Sequence, residues 1–293
     1  MPPARSFEVE APPSSLALSP NGTEFAAVLR NGKMQVFSTA GKPLRSSPVE
    51  EAKPSAIAWT RDGRRTVAGC GRSLYVFDAA TGARLRSWPA HRDEIAAVAA
   101  SSDGSLLAST DGYEPVKLWK EDGSPLRTLD SGLEVLGVAV SPSGDRVAAG
   151  ASDTRVRIFA GASGALQRTL EFAMACPVLA FSHDGRAVAA GSVDGSVSLF
   201  DAASGEPKGI LGRHSLPAGA AAFSPDGKRL ASTGLSINPW GDEAALKFWD
   251  LSTKKETSTP IGVSFANAIT FFAASRVVVV SSRDRTVSVW EPT

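Results

Sequence analysis

The sequence predicts an all-β fold made of seven successive copies of one β-meander, with sheets stacked face to face around an axis. Three observations carry this. A pattern of strand and tight turn recurs in phase along the 293 residues. A glycine occupies the first turn of each copy, at Gly22, Gly63, Gly104, Gly144, Gly185 and Gly227, with Ser275 in the seventh place. An aromatic closes the third strand of each, at Phe37, Phe77, Trp119, Phe159, Phe200, Trp249 and Trp290. Glycine and aromatic stand 14 or 15 residues apart in six copies and 22 apart in the sixth, which therefore carries an insertion.

The fifth copy, AFSHDGRAVAAGSVDGSVSLFD from Ala180 to Asp201, justifies the elements in order. An apolar run over 179–182 is the first strand. Asp184-Gly185 supplies the positive φ that a tight hairpin turn needs. Val188 to Ser192 is the second strand, Asp194-Gly195 the second turn, and Val197, Leu199 and Phe200 mark a third strand of β-branched and aromatic residues. These strands are too apolar to alternate strictly, so both faces of each sheet must be covered. A lone meander cannot do that; neighbouring copies can.

Aromatic-acid pairs end several third strands: Phe77-Asp78, Phe200-Asp201, Trp249-Asp250 and Trp290-Glu291. The first turns read SPDG at Ser224 to Gly227, with the variants SPNG, SSDG, SPSG and SHDG. With a repeat of about 40 to 45 residues, this pattern resembles the WD-repeat (WD40-type) β-propellers. The resemblance covers essentially the whole chain. It implies a seven-bladed β-propeller of four-stranded antiparallel blades, one domain over 1–293. The chain stops three residues after Trp290, too early for a fourth strand in the last blade. The N-terminal segment, about 5–10 with Phe7-Glu8-Val9 at its centre, is expected to supply that strand and leave no open sheet edge.

In the second turns, Asn31, Asp153, Asp194 and Asp284 stand at one repeat position and are expected to cap their own backbone. The second copy is shortened around Gly71-Arg72. The third departs from the pattern with Tyr113, Glu114 and Pro115, and an aromatic in a loop is a contact candidate. The sixth holds the insertion, GLSINPWGDEA, which places Trp240 between Pro239 and Gly241. A long loop inside a compact repeat is commonly functional. The seventh is degenerate in its first turn, Ala274-Ser275, but Val277 to Val280 is strongly strand-forming.

Composition narrows the function classes. Lys plus Arg number 31 against 30 for Asp plus Glu, which gives no overall bias toward nucleic acid or anionic membrane. The first residues, MPPARSFEVEAPP, lack the apolar core of a secretory signal, and no apolar segment approaches a membrane span. A cytoplasmic protein, monomeric and without cofactor, is the expectation. Cys70 and Cys176 fall on separate copies and read as core residues; no cysteine spacing suggests a metal site.

His91 and His214 each stand 13 residues before a first-turn glycine. In the family resembled, a histidine here joins a hydroxyl, an aspartate and the tryptophan in a hydrogen-bonded network. That implies Ser109 with Trp119 and Ser232 with Trp249, the acid position falling on Tyr113 in one blade and on Asp242 or Glu243 in the other. A Ser, a His and an acid could also be a hydrolase triad, but recurrence with the repeat and the lack of a nucleophile motif favour structure. His183 reads as a solvated turn residue.

The family also implies that the second-turn loops share one face. Arg283 and Arg285 of the seventh copy, Arg30 and Lys33 of the first and Arg72 of the second then form a basic arc. Across the ring lie Asp111, Tyr113, Glu114, Trp240, Asp242 and Glu243. The expectation is a non-catalytic scaffold whose polarised face binds a protein or peptide. The alternatives are a nucleic-acid or phosphate-rich ligand on the arc, and an enzyme with an axial site.

Overall fold

The computed structural model describes residues 3, 5–49, 54–60, 62–132, 134–235, 245–260, 266–273, 276–281 and 285–290. Among the described residues there is no helix, and twenty-eight strands pair into seven antiparallel sheets of four. In blade order these sheets span 13–48, 54–89, 97–128, 135–171, 178–213, 218–260, and 266–290 with 5–8. The innermost strand of each sheet touches those of the sheets before and after it, and Ala266–Ala273 touches Pro13–Leu18, so the blades close into a propeller.

The first turns show why their sequence is more than a glycine. Gly22, Gly63, Gly104, Gly144, Gly185 and Gly227 all hold φ between 68° and 76°. In five of these six turns the hydroxyl three residues before the glycine donates to the Asx side chain two residues on, as from Ser101 to Asp103 (2.7 Å) and from Ser224 to Asp226 (2.6 Å); the Gly144 turn has Ser143 there. The same oxygen accepts the N–H five residues on, of Leu106 (3.0 Å) or Arg229 (2.9 Å). A buried hydroxyl is thus satisfied within its own turn.

The aromatic-acid pairs divide their labour. The aromatics pack between blades: Phe77 and Trp249 are fully buried. The acids turn the chain. Asp78 Oδ1 accepts the Thr81 N–H (2.8 Å), Asp201 Oδ1 those of Ala203 and Ser204 (3.0 Å each), and Asp250 Oδ1 that of Thr253 (2.8 Å). In blades 1 to 5 the register between third and outer strand shifts immediately before the aromatic, a bulge that adds twist where the chain must enter this turn. Blade 6 has no such shift.

A second recurring joint was not visible as a motif. Outer strands reach the third turn of the next blade: Arg127 Nε donates to Ala162 O (3.1 Å), Arg168 Nε to Ser204 O (2.9 Å), and Ser47 Oγ to Gly82 O. Between blades 5 and 6 the direction reverses. Lys254, at a φ of 56° where earlier blades have glycine, donates from its ammonium to Lys208 O (3.1 Å). Elsewhere the joint needs a missing side chain: a Cβ at Gly123 would meet the Trp88 ring at 2.9 Å.

The same joint closes the ring. Arg5–Glu8 pairs antiparallel with Thr286–Trp290, Phe7 opposite Val287, and the Val9 N–H donates to Arg285 O (2.9 Å). Phe7 then packs on the first blade, its ring 5.7 Å from Phe25 and 6.2 Å from Phe37, where a Cβ on Gly41 would strike it at 2.6 Å. The strand therefore binds the last blade by its backbone and the first by one side chain.

The axial cavity is 480 Å³ at the mouth facing the second-turn loops, and its lining is Ala, Gly, Val, Leu, Ile and Pro apart from Ser14, Ser15 and Ser55. At the other mouth Trp59, Phe181 and Phe223 line the opening, with His183 half-buried among them instead of solvated. Cys70 and Cys176 are buried thiols, and burial pushes Cys176 up to about 12. Phe7→Ala should cost about 2 kcal/mol, below the ~3–5 of a fully buried phenylalanine because Phe7 is half-buried. Denaturant unfolding measures this, and an unchanged midpoint would refute the latch.

Candidate interaction face

Because every sheet has the same strand order, the turns between second and third strands all emerge on one side of the ring. Arg30, Lys33, Arg72, Tyr113, Glu114 and Arg285 lie in or beside those turns and so share a face. Trp240, Asp242, Arg283, with Glu243 and Asp284, lie outside the described residues.

The basic arc is weaker than its sequence suggests. Lys33 pairs with Glu10 at 3.0 Å, and Asn31 Nδ2 also donates to Glu10 (3.2 Å); these bonds hold the Glu10 carboxyl below its ordinary range. Asn31 thus spends its side chain on Glu10, whereas Asp153 and Asp194 do cap, accepting the N–H groups of Arg155 (3.2 Å) and Ser196 (2.9 Å). Arg285 lies 3.7 Å from Glu8. The closing segment therefore gathers Lys33 and Arg285 around itself while its own acids offset them. Arg30 and Arg72 are exposed.

Blade 3 builds the more defined feature. Tyr113 is 68% exposed, yet its backbone is clamped: Asp111 Oδ1 accepts the N–H groups of Tyr113 (3.0 Å) and Glu114 (2.7 Å). Glu114 binds Lys117 at 2.7 Å and lies 3.4 Å from Arg92, whose side chain is 92% exposed. Lys117 also donates to Ala90 O (3.1 Å). Arg92 and Lys117 are the residues that sequence reasoning missed; HRDE directly after an outer strand was the available signal. The result is an exposed phenol on a loop with little freedom, whose neighbour Glu114 is met by an exposed guanidinium.

Beneath it lies the first histidine network. His91 Nε2 is 2.8 Å from Ser109 Oγ, which accepts the Trp119 indole N–H at 2.8 Å. The acid is Asp111, 3.6 Å from His91 Nδ1, and not the residue at the Tyr113 position. Counting back from Trp119 assumed that the acid sits mid-turn; Asp111 directly follows the second strand and is drawn under the loop by the N–H groups it caps. In blade 6, His214 Nε2 meets Ser232 Oγ at 2.7 Å and Trp249 donates to the same oxygen at 2.9 Å.

These constellations do not form a nucleophilic site. Ser109 and Ser232 are fully buried, and each Oγ already receives an indole N–H, so no substrate carbonyl can reach it. Burial outweighs the nearby Asp111 carboxylate and lowers the His91 pKa; burial, reinforced by Lys247, takes His214 down to about 4. For Asp111, burial raises the pKa but the Glu114 and Tyr113 N–H groups prevail and keep it low. Lys247 sits 5.4 Å over the Trp249 ring and 2.6 Å from Glu256.

The family model of the IFT122 first beta-propeller matches residues 53–293. No curated protein matches the sequence.

A neutral buried imidazole makes stability fall with acid. Between a free-histidine pKa of about 6.5 and the His214 value of about 4, the unfolded chain binds the proton and the folded one does not. The His214 contribution is complete above pH 6.5 and is lost progressively as pH falls toward 4, by up to about 3 kcal/mol. Thermal melts across this window should show a shallower slope in His214→Gln than in wild type; parallel profiles would remove His214 as the cause.

Proposed function

Since the chain belongs to the IFT122 first beta-propeller family, we propose that it is a rigid, non-catalytic seven-bladed platform that binds a protein or peptide on the face carrying the Tyr113 loop. The observation that carries this is Tyr113, a large side chain left 68% exposed on a backbone already fixed by Asp111. Aromatic and arginine side chains dominate interface energies, and a clamped loop has little freedom left to lose on binding. Arg92, which reaches the neighbouring Glu114, suits a partner that carries an acidic group as well as an apolar one.

The axial lining supports a platform over an axial enzyme, because among the described residues no carboxylate or imidazole lines the mouth on this face to take or give a proton. Nucleic acid is less favoured: Lys33 and Arg285 carry acidic neighbours on the closing segment, which lowers the charge available to phosphates. We propose a monomer, on the ring closed between the first and last blades, and keep a cytoplasmic location as a proposal.

Peptides selected on the wild-type protein from a random display library test the face. Their affinity should fall tenfold or more in Tyr113→Ala and in Arg92→Glu, and stay within twofold in Leu166→Ser on the outer rim. Peptides indifferent to both face variants would place the contact elsewhere and overturn this reading.

A further inference from the structure

Two residues before its closing aromatic, on the same face of the third strand, each blade carries a side chain directed at the outer strand of the blade before it. In three blades it is a cation that crosses the gap. Lys117 Nζ donates to Ala90 O (3.1 Å), Arg157 Nη1 to Ser131 O (3.3 Å) and Lys247 Nζ to Arg213 O (2.8 Å). Each also meets a carboxylate, of Glu114 (2.7 Å), Asp153 (2.5 Å) and Glu256 (2.6 Å) respectively. Blades 1 and 2 have Gln35 and Tyr75 there, and in blade 7 the Ser288 hydroxyl accepts the Trp290 indole N–H (2.8 Å). Blade 5 has Ser198 beside Phe200, which has no such proton to give.

The gap in blade 5 is correspondingly open. A cavity of 450 Å³ lies between the outer strands of blades 4 and 5, and Ser196, Ser198, Phe172, Phe200, Pro207 and Ile210 line it. The outer strand widens it. Pro207–Arg213 shifts register twice against the third strand, once at Val197 and Ser198, whereas blades 1 to 4 shift only immediately before the aromatic. An additional bulge bends the strand away from its partner, here around Gly209, at a φ of 115°, and Ile210, which is 62% exposed.

The acid of this position is retained although the cation is not. Asp194 stands six residues before its aromatic, as Asp153 does in blade 4, and it lines the cavity. Its Oδ1 accepts the Ser196 N–H (2.9 Å), and the Ser196 bonds hold the carboxyl below its ordinary range, so it is charged at neutral pH. Asp153 receives Arg157 from its own third strand. Asp194 instead receives Arg213 from the outer strand, at 3.1 Å and on a side chain 58% exposed, with the cavity beside it.

We propose that the groove between blades 4 and 5 binds one arginine side chain of a partner protein, its stem against Phe172 and Phe200 and its guanidinium on Asp194, the place that Arg157 takes within blade 4. Arginine is favoured over lysine because a planar guanidinium pairs bidentately with a carboxylate, as Arg157 does with Asp153 (3.1 and 2.5 Å), and stacks on aromatic rings. Arg213 is the resident competitor and turns out to solvent on binding. The groove belongs to blades 4 and 5 and Tyr113 to blade 3, so this site does not rest on the Tyr113 reading.

NMR titration of the full chain with the blocked tripeptide acetyl-Gly-Arg-Gly-amide, followed at the backbone amides of Phe172, Asp194 and Ser198, tests it. Wild type should show saturable shifts that the citrulline tripeptide, of the same shape but uncharged, does not produce. Asp194→Asn, which keeps an acceptor for the Ser196 N–H, should weaken binding tenfold or more. So should Ser198→Gln, which puts into the groove the residue type that blade 1 has there, whereas Arg213→Ala should strengthen binding several-fold. Adventitious attraction to surface acids would be indifferent to Ser198→Gln. Absence of saturable shifts in both wild type and Arg213→Ala, equal binding of the citrulline tripeptide, or affinity unchanged by Asp194→Asn and Ser198→Gln would overturn the site. Tighter binding of the lysine tripeptide would overturn the choice of arginine.

Discussion

The fold depends on sheets that have no dry side of their own. In blade 4, Ala148, Val156 and Ile158 pack toward blade 5, while Val147, Ala149 and Phe159 pack toward blade 3, so both faces of one sheet are apolar and each is a neighbour's core. Such a sheet in isolation would expose both faces to water. No blade is stable by itself, and the ring is the smallest unit in which every face is covered. The bulges, capped turns and joints between outer strands and third turns all serve this arrangement, because they set the angle at which one sheet meets the next.

That dependence explains what could be read in the sequence. The turn glycines, the aromatics and the N-terminal strand were legible because they recur or complete a recurrence. The arginine bonds to third-turn carbonyls and the lysine bond from a third turn were not, because the partners are the backbone of another blade and the bond changes direction between Lys254 and Lys208. A contact that alternates its donor leaves no column of identical residues.

On the candidate face the pattern is similar. Ser109 and Ser232 were predictable as the hydroxyl partners of their histidines, since strand position fixes them. Asp111 was not: an acid that caps a turn is placed by the N–H groups it captures, and its carboxylate ended two positions from where counting put it. The basic arc is weakened in another way. Charge read along a chain omits the acids brought alongside by folding, here Glu8 and Glu10 on the closing strand. Tyr113 stood out in both views, because an aromatic breaking a polar turn pattern is visible in sequence and its exposure follows from the rigid loop beneath it.

The closing strand also determines how the ring responds to tension. Arg5 lies opposite Val289 and Glu8 opposite Thr286, so the chain enters one strand and leaves the other at the same end of the pair. A load applied between the two ends of the ring would break these pairs one after another, as in unzipping, instead of shearing them together. Phe7, packed against Phe25 and Phe37 of the first blade, is the only side chain of that strand in an aromatic contact across the seam. The seam is therefore the weakest mechanical link of the propeller, and a propeller pulled by its ends would open there before any blade lost its own strands.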